Sequence, residues 1–383
     1  MRQIGVQELE QLAVGAAILG TGGGGDPFIG LMMARQAIEA AVPVTLLDIS
    51  EIDDEALVIP TAMMGAPTVM VEKIPEGGEP VRALQALERR LGRKATATCP
   101  IECGGVNSQI PFVVAARLGL PIVDADGMGR AFPELQMETF HVYGISGTPA
   151  VVADERGATA LFETPDNYQL EWLARGVTIR MGGHACLADY PMSGAALKRT
   201  AVPGTLSMAM AIGTAVREAR HQGITPIEAL CNATRPFVYG QGIVLFQGKV
   251  ADVQRRTQNG FAVGRATLSG LGENAGQTMV IAFQNENLVA FRENEVMATV
   301  PDLICVVDSE SATAVTTERL QYGQRVTVVG IPTPEKMRSE AALQVWGPRA
   351  FGYDIDFVPL ERRFPSYYQQ HGVPPEKAHY LKS

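Results

Sequence analysis

The stretch AILGTGGGGDPFIG, residues 17–30, places four consecutive glycines between two apolar segments. Apolar residues recur at helical spacing before it, from Val6 to Leu19, which predicts a helix that runs into the glycines. Asp26 followed by Pro27 is a favourable N-cap and first-turn pair, so a second helix, PFIGLMMARQAIEAA, is predicted to begin there. The chain is therefore predicted to start with two helices joined by a glycine loop.

The glycine loop has more than one interpretation. Gly20, Gly22 and Gly25 fit G-x-G-x-x-G, and the run VTLLD ends in Asp48 at about the spacing of a ribose-binding acid. A dinucleotide site needs a strand before the glycines, and that segment has a helical pattern, so an NAD-dependent dehydrogenase is an outside alternative. The bare backbone amides otherwise predict a small-molecule site, or a plain corner between helices. The candidate binding residues are Gly22, Gly23, Gly24, Gly25 and Asp26.

The composition is that of a globular enzyme. Of 383 residues 46% are hydrophobic, too many for a disordered chain, and a net charge of −9 without a basic run predicts no nucleic-acid partner. The N-terminal MRQIGVQELEQL lacks a signal-peptide pattern and no segment is long enough to span a bilayer, which predicts no membrane partner. Five widely spaced cysteines favour free thiols and a cytoplasmic location.

The length favours two domains, and the pattern changes along the chain. The first half alternates short apolar runs with helical segments, which predicts an α/β domain over residues 1–166 with a largely parallel sheet and the candidate site. Residues 167–383 are predicted to form an α+β domain, in which helices lead into a mainly antiparallel β sandwich or barrel. Asn259-Gly260, between two alternating runs, is a strong hairpin signal.

One polar stretch of the first domain, PIVDADGMGRAFPELQ, carries candidate catalytic acids. Asp124 and Asp126 end an apolar run, and Arg130 and Glu134 follow. Residues two apart on a strand share a face, so the two aspartates are predicted to point together into a site at the strand end. Neighbouring carboxylates repel, which raises one pKa and suits a general base or a metal site. The alternative is that one aspartate caps a turn and the other pairs with Arg130.

Two further stretches carry polar side chains with less specific patterns. CPIECGGVNSQIP places Glu102, Cys103 and Asn107 around a Gly104-Gly105 turn. GGHACLADYP sets His184 two residues from Cys186. These two, with Asp124 or Asp126, are weak candidates for a metal site, and a divalent metal such as zinc is the cofactor to consider. The more common roles, a buried thiol and a packed histidine, are expected first.

Six segments together resemble the S-methyl thiohydantoin desulfurase-like family, long catalogued as a domain of unknown function. They are GTGGGGDP, IECGGVNS, VDADGMGRAFPELQM, YPMSG, GTLSMA and FQNENLVAF, and they span nearly the whole chain. The resemblance implies an N-terminal α/β domain, a C-terminal β-rich domain, and hydrolytic removal of sulfur from a thiohydantoin ring. It also implies a hydantoinase/oxoprolinase-type partner, because some members are fused to or encoded beside such proteins.

The first hypothesis is an enzyme that adds water to a C=S carbon and expels sulfide. Asp124 or Asp126 activates the water or holds a metal that does so, glycine amides stabilise charge on sulfur, and Arg130 binds a substrate carboxylate. The catalytic candidates are Asp124, Asp126, Glu102 and Glu134. The substrate-binding candidates, besides the glycine run and Asp26, are Gly104, Gly105, Asn107 and Arg130.

Two other hypotheses use the same residues differently. In one, Cys103 is a nucleophile that attacks the same carbon, which requires a neighbour that activates the thiol. In the other, the protein binds a ligand without turnover, as an accessory of a hydantoinase-type enzyme. A homo-oligomer is compatible with each hypothesis.

Overall fold

The computed structural model describes residues 1–40, 43–66, 69, 72–73, 75–258 and 261–381. The described helices are α1 (Val6–Leu19), α2 (Pro27–Glu39), α3 (Glu79–Leu91), α4 (Ile110–Leu118), α5 (Thr139–Val142), α6 (Asn167–Arg180), α7 (Gly194–Thr200), α8 (Thr205–Glu218), α9 (Pro226–Ala233), α10 (Glu340–Trp346), α11 (Leu360–Arg363) and α12 (Pro365–His371). The described strands are β1 (Arg2–Ile4), β2 (Val44–Leu47), β3 (Leu57–Val58), β4 (Thr61–Gly65), β5 (Ile122–Val123), β6 (Ala125–Asp126), β7 (Ala150–Ala153), β8 (Thr159–Phe162), β9 (His184–Ala188), β10 (Met192–Ser193), β11 (Val202–Pro203), β12 (Ile243–Gln258), β13 (Phe261–Gly270), β14 (Thr278–Gln284), β15 (Glu286–Arg292), β16 (Glu295–Thr299), β17 (Leu303–Asp308) and β18 (Arg325–Ile331).

The chain starts with the predicted helix, glycine loop and helix. α1 ends at Leu19 and α2 begins at Pro27, where the Asp26 carboxylate accepts a hydrogen bond from the Phe28 N–H at 2.9 Å. An aspartate at this position satisfies one of the unpaired amides of the first helical turn. A Rossmann unit would have a strand where α1 lies, so the glycine loop lacks the context of a dinucleotide site.

The sheets of the first half are small, and the predicted largely parallel sheet is not confirmed. One sheet has the order β1-β2-β5, with β2 and β5 parallel, and another has four antiparallel strands in the order β4-β9-β7-β8. Two further sheets have two antiparallel strands each, β3 with β10 and β6 with β11. The inner strand β9 runs opposite to both of its neighbours. Because β9 comes from a later part of the chain, the local alternation of strands and helices did not indicate it.

Elements beyond residue 166 pack directly on those before it. α8 crosses α1 closely: a Cβ built on Gly15 would overlap the backbone of Ala209, and one built on Gly213 would overlap the carbonyl oxygen of Gln11. Glycine at both positions therefore lets the two helix backbones approach each other. These contacts, and the place of β9, cross the predicted boundary between residues 166 and 167, which stays a prediction.

The last third of the chain forms the predicted antiparallel β structure. Seven strands pair antiparallel in the order β16-β15-β14-β13-β12-β18-β17. In β12, buried and exposed residues alternate from Phe246 to Val250, so one face of this part of the strand is covered and the other meets solvent. The predicted turn Asn259-Gly260 lies outside the described residues, while the strands on either side pair from Gln258 and Phe261. Within the described ranges, no helix is both long and apolar enough to cross a bilayer.

Candidate functional site

The glycine loop is anchored to the C-terminal sheet through its backbone. The carbonyl oxygen of Thr21 accepts a hydrogen bond from the Asn287 N–H at 2.7 Å. The carbonyl oxygen of Gly22 accepts one from the Thr317 N–H at 2.8 Å. The start of β15 and the segment before β18 therefore hold one side of the loop.

The other side of the glycine loop contacts the Gly104-Gly105 turn. The carbonyl oxygen of Gly24 accepts a hydrogen bond from the Val106 N–H at 2.9 Å. Gly105 has a φ of 66°, and a Cβ built on it would overlap the Gly24 carbonyl. Glycine suits both the backbone angle and the close approach. The glycine loop and the Gly104-Gly105 turn, which are far apart in the sequence, therefore pack directly against each other.

A cavity lies where these segments meet. Of the sequence-predicted residues, those that line it are Gly24, Gly25, Glu102, Asn107 and Glu134. Two charged residues that sequence reasoning did not select, Glu286 and Arg175, line it as well. Apolar side chains complete the wall, among them Met63 and Phe132. The cavity thus combines glycine backbone, acids and a cation from distant parts of the chain.

Glu102 is the acid that the Gly104-Gly105 turn presents to the cavity. Its Oε1 accepts a hydrogen bond from Asn107 Nδ2 at 2.6 Å, and Asn107 Oδ1 accepts one from the Met63 N–H at 2.6 Å. Glu102 Oε2 has no hydrogen-bond partner among the described residues. Burial raises the pKa of Glu102 well above its usual value, and the nearby Glu286 carboxylate raises it further.

Glu286 reaches the same cavity from the first residue of β15. Its Oε1 accepts a hydrogen bond from the Gly24 N–H at 3.3 Å, and its Oε2 is without a partner in the described part of the chain. Burial raises the pKa of this carboxyl to about 8, against the opposing effect of the Arg130 guanidinium. A buried acid with an open oxygen and a pKa near neutrality is suited to proton transfer.

Arg175, on α6, is the cation of the cavity. Its Nε pairs with Glu171, and its Nη2 donates a hydrogen bond to the Pro133 carbonyl oxygen at 2.9 Å. Its Nη1 makes no hydrogen bond to the described residues. A guanidinium fixed along one edge, with donors left on the other, suits a planar carboxylate.

Asp126 lies behind the cavity and supports it. One carboxylate oxygen accepts hydrogen bonds from the Cys103 N–H and the Gly129 N–H, each at 2.8 Å. The residue is fully buried, and burial raises the pKa of its carboxyl to about 7. Asp126 does not line the cavity. It holds the backbone of the loop that carries Glu102, and its predicted role in proton transfer stays a prediction.

Asp124 has different hydrogen-bond partners from Asp126, and the prediction that the two aspartates point together into a site stays a prediction. Asp124 accepts hydrogen bonds from the N–H of Ser207, at 3.0 Å, and from the Ser207 hydroxyl, at the start of α8. The chain bends at Asp124, between β5 and β6, so the alternation of a continuous strand does not apply there. The alternative in which one aspartate caps a turn describes Asp124 better.

Arg130 is fully buried and engaged with the protein itself. Its Nη2 donates hydrogen bonds to Thr21 Oγ1 at 2.7 Å and to the Asn287 carbonyl oxygen at 3.0 Å, and its Nη1 donates to the Asp302 carbonyl oxygen at 3.1 Å. The guanidinium stacks over Phe132, 4.8 Å from the ring centroid. These contacts favour a structural role over the predicted binding of a substrate carboxylate.

The remaining predicted residues occupy separate environments. Asp26 caps α2 and pairs with Arg319 at 2.7 Å, so its carboxylate is committed to structure. Gly22 and Gly23 pack on Asn287 and Glu286 rather than on the cavity. Glu134 lines the cavity, accepts a hydrogen bond from the Gln136 side chain, and has its pKa raised by burial.

The thiol and metal candidates are not assembled into a site. All five cysteines are buried and free, as the sequence predicted, and burial raises the pKa of Cys103 well above its usual value, with Asp126 and Glu102 adding to the rise. Such a thiol is a poor nucleophile. His184 and Cys186 are buried in β9. Among the described residues, no three His, Cys, Asp or Glu side chains are grouped so that they could hold a metal ion.

Neither Glu286 nor Arg175 has a clear signal in the sequence. Glu286 lies in FQNENLVAF, between two alternating runs, where an acid has the appearance of an ordinary turn residue. The one local signal in the sequence is that two asparagines, Asn285 and Asn287, flank it. In the structure the Asn285 carbonyl oxygen accepts a hydrogen bond from the Thr317 hydroxyl, and the Asn287 N–H donates one to the Thr21 carbonyl oxygen. Arg175 lies in the middle of a helix and carries no sequence signal.

Comparisons with known proteins cover nearly the whole chain. The model of the S-Me-THD-like N-terminal domain matches residues 7–164, and that of the C-terminal domain matches residues 165–360. No curated protein matches. The X-ray crystal structure of a protein from Chromobacterium violaceum is similar over 94% of this chain and 100% of that chain, with a TM-score of 0.78 and 26% identity. The chain belongs to the S-Me-THD-like family.

Proposed function

We propose that the protein is a hydrolase that removes sulfur from a small cyclic thiohydantoin-type substrate by adding water to the C=S carbon. The observation that carries the proposal is the pair of buried carboxyl groups, Glu102 and Glu286, beside Gly24 and Gly25 in one cavity. Membership of the S-Me-THD-like family supports the substrate class.

Two buried carboxyl groups can supply the proton transfers of this reaction. The ionised one accepts a proton from water as the water oxygen bonds to the carbon, and the one that burial keeps protonated donates its proton to sulfur. The carboxylate that gave its proton to sulfur then takes the remaining O–H proton as the carbonyl forms and the C–S bond breaks. The departing hydrosulfide takes up the proton held by the other carboxyl group, which restores both groups. Thiohydantoin and water thus give hydantoin and hydrogen sulfide. An enzyme that opens hydantoin rings would consume the product.

The other cavity residues orient the substrate and stabilise charge. The backbone N–H of Gly25, next to the start of α2, is suited to the negative charge that develops on sulfur. Arg175 is better placed than Arg130 to bind a carboxylate on the substrate. Asn107 holds Glu102 in position through its hydrogen bond.

Sulfide release from a thiohydantoin propionate tests the proposal. We expect Glu102→Gln and Glu286→Gln each to lower kcat by about 100-fold or more, because each removes a proton-transfer group but keeps the side-chain shape. Asp124→Asn is the matched control, since Asp124 faces α8. Wild-type rates in both glutamine variants would contradict the proposal.

A substrate pair tests the role of Arg175. Arg175→Ala is expected to raise KM for the propionate and to leave KM unchanged for the analogue without a carboxylate. An equal effect on both substrates would show that Arg175 does not bind the carboxylate.

A further inference from the structure

α6 has two faces of different character. Its inner face carries Glu171, which accepts a hydrogen bond from the Leu135 N–H at 3.1 Å, and Arg175, which lines the candidate cavity. Its outer face is exposed and largely apolar. The side chains of Tyr168, Trp172, Leu173 and Ile179 are 54%, 75%, 38% and 64% exposed. Gln169, Gly176 and Arg180 complete this outer stripe.

The composition of the outer stripe is that of an interface centre rather than a solvated surface. It contains one of the two tryptophans of the chain, a tyrosine, and a single charged residue, Arg180. Aromatic residues are enriched and charged residues depleted at the centres of protein interfaces. The chain has a net charge of −9, so two copies repel each other, and the absence of acids from the stripe makes it a face where this repulsion is weak.

The order of residues along the stripe fits a second copy in antiparallel orientation. A two-fold axis that places Trp172 opposite Gly176 of the second copy also places Tyr168 opposite its Arg180. A Cβ built on Gly176 meets nothing within 4 Å, which leaves room for the indole ring. In this arrangement Tyr168 would form a cation–π pair with Arg180 of the second copy, and the tyrosine ring is already held edge-on to His141 at 5.4 Å. Because the axis is two-fold, each of these contacts occurs twice in the dimer.

We propose that the protein forms a two-fold homodimer in which the outer stripe of α6, residues 168–180, packs on the same stripe of a second copy. The dimer places Glu171 and Arg175 directly behind the interface, on the face that points to the candidate cavity. The proposal does not depend on the reaction catalysed.

Sedimentation equilibrium of the full chain over a micromolar concentration range tests the dimer. Wild-type protein is expected to dimerise, and Trp172→Ala is expected to raise the dimer Kd by about 30-fold or more, as for an aromatic residue at an interface centre. Tyr322→Ser is the control, because Tyr322 is as exposed as Trp172 but lies outside the stripe. It should leave the Kd unchanged.

Gly176→Leu distinguishes a specific interface from nonspecific association of exposed apolar surface. The substitution adds apolar surface and favours the helix, and space is open for it in the single copy. In the dimer it would occupy the position of Trp172 of the second copy, so dimerisation is expected to weaken. Stronger association of this variant would overturn the proposal.

Tryptophan fluorescence gives a second readout. Trp346 is fully buried and Trp172 is exposed, so a shift of emission to shorter wavelength with protein concentration would report on Trp172. Circular dichroism confirms that each variant is folded before its Kd is interpreted. Wild-type protein that is monomeric throughout the range, or a dimer that neither Trp172→Ala nor Gly176→Leu weakens, would overturn the proposal.

Discussion

Arg130 illustrates how burial decides the role of a charged residue. A cation that follows two aspartates in the sequence suggests an ion pair or a ligand clamp, and neither describes its contacts. Its guanidinium instead donates to Thr21, Asn287 and Asp302, which joins the glycine loop to the C-terminal sheet. Burial lowers the pKa of Arg130 to about 10, so it remains a cation at neutral pH.

Removing this guanidinium should destabilise the fold. We expect Arg130→Met to lower the free energy of unfolding by roughly 3 kcal/mol or more, because several buried acceptors lose their donor and each such loss costs about 1–3 kcal/mol. Urea unfolding measures the change, and Arg256→Met on the exposed side of β12 is the control. An unchanged unfolding midpoint together with a raised KM would instead support substrate binding by Arg130.

The raised pKa of Glu286 should make stability depend on pH. Folding moves this pKa from 4.5 to about 8, mainly through burial, with Arg130 opposing and Glu318 adding to the rise. Between these values the folded protein holds a proton that the unfolded chain has lost. The stabilising contribution is therefore complete below about pH 4.5 and is lost as the pH rises through about 8.

Urea unfolding at several pH values tests this linkage. The free energy of unfolding should fall more steeply for the wild type than for Glu286→Gln across this window, with a difference of up to about 1.4 kcal/mol per pH unit. Glutamine keeps the acceptor for the Gly24 N–H, so the hydrogen bond is preserved. Parallel curves for the two proteins would show that Glu286 ionises normally.

Among the secondary-structure elements, helix boundaries were predicted correctly where an N-cap residue and a helical spacing of apolar residues occur together. α2 begins at Pro27 as its Asp26-Pro27 pair predicts, and α1 runs from Val6 to Leu19 as the helical spacing of its apolar residues predicts. The strands of the first half were less predictable, because their pairing partners are remote in sequence. The contact between the two glycine turns also joins residues that are remote in sequence. This contact shapes the cavity.

A pair of glycine variants tests this contact. Gly105 and Gly119 have similar φ angles, 66° and 69°, but a Cβ on Gly105 would overlap the Gly24 carbonyl while one on Gly119 meets nothing within 4 Å. Alanine at either position carries the same backbone strain. We expect Gly105→Ala to destabilise by about 1–3 kcal/mol more than Gly119→Ala, and only Gly105→Ala to reduce activity. Equal unfolding free energies would show that the loops do not touch.

At the scale of the whole molecule, the two halves of the chain depend on each other. β9 lies inside the four-stranded sheet, α8 packs on α1, and the start of β15 supplies Glu286 to the cavity. A fragment of residues 1–166 lacks all three. We expect this fragment to show no cooperative urea transition and no near-ultraviolet circular dichroism. A sharp transition in the isolated fragment would mean that the predicted boundary separates independent folding units.

Local sequence patterns were sufficient to predict the glycine loop between two helices, the antiparallel C-terminal strands and the two glycine turns with Glu102 and Asn107. These features depend on short-range physics: capping, backbone freedom and hydrophobic period. Tertiary packing brings Glu286 and Arg175 to Glu102, places Asp124 against Ser207 of α8, and buries Arg130 among Thr21, Asn287 and Asp302. Those outcomes depend on which distant segments pack together and bury one another, and no local pattern in the chain carries that information.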